Sequence, residues 1–111
     1  MTREHFDYTQ VLRSAEDDHA GNVIASIEAV DRPLQAVLWS VRHDAWIYAP
    51  SVAARILYND EQFDRLRDID RQTAERVARD DLHTDLPAED VLVQIIEDGE
   101  RSGMTYGPPV G

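Results

Sequence analysis

The run from Asn22 to Ala49, NVIASIEAVDRPLQAVLWSVRHDAWIYA, constrains the fold more than any other part of this chain. Only there do β-branched and aromatic residues crowd into strand-length segments separated by turn residues. Val23 to Val30 is about one strand long, Asp31, Arg32 and Pro33 carry turn chemistry, and Leu34 to Val41 makes a second strand. Arg42, His43 and Asp44 then break to a third, Ala45 to Ala49. Connections this short force neighbouring strands to run antiparallel, so the expectation is a three-stranded antiparallel β-meander over about residues 22–49. If both turns hold three residues, alternation puts Val23, Ala25, Ile27, Ala29, Val37, Trp39, Val41, Ala45, Ile47 and Ala49 on one apolar face, interrupted only by Gln35. The opposite face then receives Ile24, Ser26, Glu28, Leu34, Ala36, Leu38, Ser40, Trp46 and Tyr48, a mixture of apolar and polar groups.

The flanks read as helix. Tyr8, Val11, Leu12 and Ala15 fall at helical spacing and predict an amphipathic helix between Thr2 and Ala15, although Phe6 lies off that stripe. Glu16 to Gly21 then reads as a solvated loop. Pro50 suits the first position of a second helix with Val52, Ala53, Ile56 and Leu57 on its apolar stripe. Asp60 can cap a third, from Glu61 to about Asp81, whose charges fall into i, i+4 pairs such as Arg71 with Glu75. A fourth begins near Thr84, Asp85 and Pro87, is buried through Val91, Leu92, Ile95 and Ile96, and stops at Gly99. The expected class is therefore α+β: one helix, the meander, then three helices packed on its apolar face. Residues 1–101 make a single domain, with 102–111 a flexible glycine- and proline-rich tail.

Charge narrows the function. The 22 acidic residues outnumber 11 basic ones, and the net charge of -11 repels phosphates and anionic lipid, which argues against nucleic-acid and membrane partners. Every basic residue is arginine, so a lysine Schiff base is excluded. The absence of cysteine excludes disulfides and thiolate chemistry and fits a cytoplasmic setting. No apolar run reaches the roughly 20 residues that span a bilayer, and the first ten residues lack the pattern of a signal peptide.

Catalytic patterns are weak. Asp80, Asp81, His83 and Asp85, with Glu89 beyond, form the densest ligand-like cluster. Asp81, His83 and Asp85 at alternate positions resemble the opening of a calcium loop, but the sixth-position glycine is missing and the twelfth position is Leu92, so no metal or other cofactor is implied. His43 and Asp44 could orient a base only with a third group and a pocket. Two features instead suggest contact with a macromolecule. Trp46 and Tyr48 stand on the mixed sheet face as aromatic anchors ringed by Ser26, Ser40 and Glu28, the competing expectation being that the N-terminal helix lies across them through Tyr8, Val11 and Leu12. The acidic surplus is the second feature, with Asp80, Asp81 and Asp85 as a separate set of candidate contacts. The small, acidic, lysine-free profile resembles in type that of many bacterial immunity proteins and antitoxins, without a shared motif. The expectation is a non-catalytic module that neutralises or regulates a basic protein partner by occlusion. The alternatives are a small-molecule-binding domain or enzyme with a pocket between the sheet and the C-terminal helices, and self-association into a homodimer.

Overall fold

The computed structural model describes residues 6–14, 17–29, 32–58 and 64–102. Among them the chain forms an antiparallel sheet of five strands and three helices, in the order β1 (Asp7–Ser14), β2 (Asp17–Ala29), β3 (Arg32–Ser40), β4 (Ala45–Tyr48), α1 (Pro50–Leu57), β5 (Leu66–Ile69), α2 (Arg71–Asp80) and α3 (Glu89–Ser102). The α+β class is as expected. The spatial order of the sheet is β4-β3-β2-β1-β5, so the meander extends one strand further toward the N-terminus than the turn signals indicate, and the last strand docks beside the first.

The expected N-terminal helix is strand β1, and the expected acidic loop is the start of β2. Phe6 explains why. It belongs with Tyr8 on one side of the strand while Val11 turns to the other, a period of two that accommodates the residue the helical stripe excluded. The pairing of β1 with β2 jumps from Asn22 to Ala20 between Val11 and Leu12, which leaves Gly21 as the extra residue of a β-bulge. The third expected helix is also shorter at its start. Leu66–Ile69 pairs with Val11–Tyr8 as an edge strand, and α2 begins only after Asp70, whose carboxylate accepts the Thr73 N–H at 2.7 Å as an N-cap. The cap expected at Asp60 lies outside the described residues, as does nearly all of the expected tail. Helix α3 starts after Pro87, with Leu92 N–H bonded to Ala88 O, and runs through Gly99 to Ser102.

Both faces of the sheet are covered. On one, Phe6, Tyr8, Val23, Ala25, Ile27, Val37 and Tyr48 pack under Ala74, Val77 and Ala78 of α2 and Leu92 and Ile96 of α3. On the other, Val11, Ile24, Ala36 and Leu38 lie beneath Ala53 of α1, with Val52, Ile56 and Leu57 at its margin. The expectation of three helices on a single face is thus corrected: α1 takes the mixed face, which is why that face carries Ile24, Leu34, Ala36 and Leu38. Burying each such aliphatic side chain contributes roughly 1.5–3 kcal/mol, so neither layer is dispensable.

The faces of β2 and β3 follow the expected alternation, but β4 is inverted. Ser40 pairs with Ala45 and Trp39 with Trp46, so the connecting loop holds four residues, Val41 to Asp44, rather than three. Changing the loop by one residue moves every β4 side chain to the other side of the sheet. Trp46 and Tyr48 therefore join Trp39 and Val37 under α3, Ile47 goes to the α1 side, and Val41 is left 81 % exposed in the loop. The β2–β3 pairing runs to Ala29 with Arg32, so Arg32 and Pro33 belong to β3 and not to a turn.

Candidate functional site

The residues singled out from the sequence do not form one surface. Tyr48 is 7 % exposed, its ring lies against Gly99, and its hydroxyl donates to Glu100 at 3.4 Å, with burial pushing the hydroxyl pKa up. Glu100 also accepts from the Gln35 amide at 3.0 Å. Tyr48 is thus part of the seam between the sheet and α3. Trp46 is half-buried, and its indole N–H donates to Asp85 O at 3.0 Å, which ties the segment linking α2 to α3 onto the sheet. Asp80 is exposed at the end of α2, beside Gln10, Thr73 and Arg76, while Asp85 is exposed and Asp81 half-buried within the linking segment.

This tie builds a corner that the sequence did not reveal. The Trp46 ring meets that of Trp39 at 5.7 Å with the planes inclined by 56°. Trp39 is held in turn by Asn22, whose side-chain amide donates to Trp39 O at 2.9 Å and accepts the Trp39 N–H at 3.1 Å. Beside this pair a hollow of about 530 Å³ opens between the β3–β4 loop and the end of α2, lined by Gly21, Trp39, Val41, Asp44, Asp81, Leu82 and His83. Two of these residues have left-handed backbones, Asp44 with φ 52° and His83 with φ 58°. Asp44 closes the β3–β4 loop through its N–H to Val41 O at 3.3 Å, and past His83 the chain is tied to α2 by Thr84 N–H to Ala78 O at 3.0 Å. Aspartate and histidine tolerate this conformation better than most residues, so both turns are sharp without glycine. In the same loop His43 Nδ1 lies 2.8 Å from Ser40 Oγ. Among the described residues no group of three or more histidine, aspartate or glutamate side chains is placed to hold a metal ion.

A second, larger cleft of about 740 Å³ lies at the opposite ends of the strands, where β1, β5 and the starts of α2 and α3 meet. At its centre Tyr8 donates to Glu89 at 2.7 Å and accepts from Arg71 at 3.0 Å, with the guanidinium 5.6 Å from the tyrosine ring centroid. Arg71 also donates to Glu75 at 3.1 Å, the i, i+4 pair expected from the sequence, and reaches Leu86 O at 3.5 Å. Burial, opposed by Arg71 and assisted by Glu89, pushes the Tyr8 hydroxyl up to about 12. This group stays protonated at neutral pH and works as a structural donor rather than a base. The network joins positions 8, 71, 75, 86 and 89, too dispersed to be recognised without the fold.

Among the described residues no helix is long and apolar enough to cross a membrane. Comparison with protein-family models, with curated proteins and with solved structures finds no match.

Proposed function

We propose that this chain is a non-catalytic binding module that neutralises or regulates a basic protein partner by occlusion, and that the tryptophan corner is its contact surface. The observation that carries the reading is a coincidence in one place: the Trp39–Trp46 pair, an exposed Val41, and Asp44 and Asp81 lining the hollow beside it, with the Asp85 backbone bonded to Trp46. Binding energy concentrates in large aromatic anchors surrounded by groups that exclude water, and acidic residues around them steer a cationic surface into place. The net charge of -11 extends that steering over the whole molecule.

The test is a titration of the intact protein with a polycationic peptide of mixed lysine and arginine, set against an acidic peptide of equal length. Binding of the basic peptide alone, weakening as salt is raised, is the expected result. Neutralising Asp80, Asp81 and Asp85 together should weaken it by roughly threefold or more, since exposed charge pairs contribute about 0.2–1 kcal/mol each. Equal binding of both peptides, or indifference to the three substitutions, would remove the basis for the assignment.

A second reading has one observation in its favour. The Tyr8 cleft falls within the roughly 300–1,000 Å³ typical of small-molecule sites. It brings Thr9, Ser26 and Asp68 to an apolar floor, and a ligand-binding role would be signalled by a small organic molecule that raises the melting temperature and is blocked by Asp68→Asn.

A further inference from the structure

We propose that the corner recognises arginine in particular: the guanidinium of an arginine side chain on the partner lies against the Trp39 indole, with Asp44 and Asp81 as its counter-charges. This rests on the binding reading above and names the group bound.

The hollow combines a flat π surface, two carboxylates and apolar walls. Trp39 is fixed before any ligand arrives, because Asn22 holds its backbone through two hydrogen bonds and Trp46 supports its ring. A platform already ordered by the fold loses little entropy on binding. Guanidinium is planar, weakly hydrated and able to stack on an indole while its N–H fork reaches a carboxylate. An ammonium ion is a compact, strongly hydrated point charge that gains the Coulomb attraction but little from the flat surface. Val41 and Leu82 supply apolar wall for the methylene stem of a long side chain. The two aspartates make an anionic occupant unfavourable. The volume of about 530 Å³ leaves room for the side chain together with some of the backbone that carries it.

Both tryptophans of the chain sit at this corner, so their emission reports its occupancy directly. The intact protein is titrated at one ionic strength with oligoarginine, oligolysine and oligocitrulline of equal length, citrulline being the uncharged analogue of arginine. Oligoarginine should bind about tenfold more tightly than oligolysine and change the tryptophan emission, which corresponds to a cation–π and forked hydrogen-bond advantage of ordinary size. Oligocitrulline should not bind. Trp39→Leu should bring oligoarginine down to the oligolysine level. Should that variant fail to fold, Asp44→Asn decides, because asparagine accepts the same left-handed backbone in an exposed loop; it should cost oligoarginine at least threefold. Equal affinity for the two cationic peptides, with Asp44→Asn without effect, overturns the arginine assignment and leaves the basic-partner reading standing. Failure of both cationic peptides to bind overturns both readings.

Discussion

Gly99 sits in the middle of α3 and carries no conformational duty there. Its role is proximity: a Cβ at this position would lie 2.5 Å from Tyr48 Cδ2 and 2.8 Å from Tyr48 Cβ and Cγ. Alanine normally favours a helix interior over glycine by about 1 kcal/mol, but here the contact is with the root of a ring anchored on a strand, which cannot swing away. Gly99→Ala is expected to destabilise the fold by roughly 1–3 kcal/mol, read as a lower denaturant midpoint. From sequence this glycine reads as a helix stop, since proximity to a residue 51 positions away is invisible in a local pattern. Tyr8 makes a second residue-scale case. Its hydroxyl is held up at about 12 in the fold against 10.0 for an unperturbed tyrosine. The stability linked to it is therefore complete below pH 10 and is lost as pH rises toward 12, because the unfolded chain releases the proton first. Tyr8→Phe should flatten that alkaline decline in an unfolding series. It should also lower stability at neutral pH by about 1–2 kcal/mol, as Glu89 and Arg71 each lose a partner.

At the scale of elements, the parity of one loop decides which side of the sheet each β4 residue faces. With four residues between Ser40 and Ala45, the two tryptophans share a face and support each other. Deleting Arg42 would restore the three-residue spacing and drive Trp46 and Tyr48 toward α1. The expected outcome is loss of cooperative unfolding and a red-shifted tryptophan emission. Strand β2 was legible because Val23, Ile24 and Ile27 crowd into one strand length, and β3 because Leu34, Val37, Leu38 and Trp39 follow at strand length with the parity of the pairing preserved. Helix α1 was legible because Pro50 and a clean apolar stripe agree. Strand β5 was not. Leu66 and Ile69 stand three apart with Arg67 and Asp68 between them, a helical and not an alternating spacing amid helical charge pairs, and only pairing with Val11 to Tyr8 makes them a strand. Of the proposed contact residues, Trp46 and Asp85 do come together, but through a hydrogen bond that no spacing rule could supply.

For the molecule as a whole, the acidic surplus is a cost of folding as well as an attractant. Gathering a net charge of -11 into a body about 38 × 32 × 28 Å across sets like charges against one another. Moderate salt should therefore raise the melting temperature while it weakens association with a basic partner, opposite trends that calorimetry and binding measurements can separate on one preparation. That acidic surplus is legible from composition; where it concentrates depends on the topology. The same topology governs the order in which the fold can assemble. Because β5 docks beside β1, the opening strand waits through the synthesis of more than fifty further residues before its outer row of backbone amides and carbonyls is satisfied. The hairpins among the first four strands close over short spans and can form early. Closure of the sheet must wait until α1 has carried the chain from the β4 border to the β1 border. A ribosome paused ahead of Leu66 would thus display a half-dressed ribbon with a sticky margin, and that interval is when this polypeptide is most in need of a chaperone.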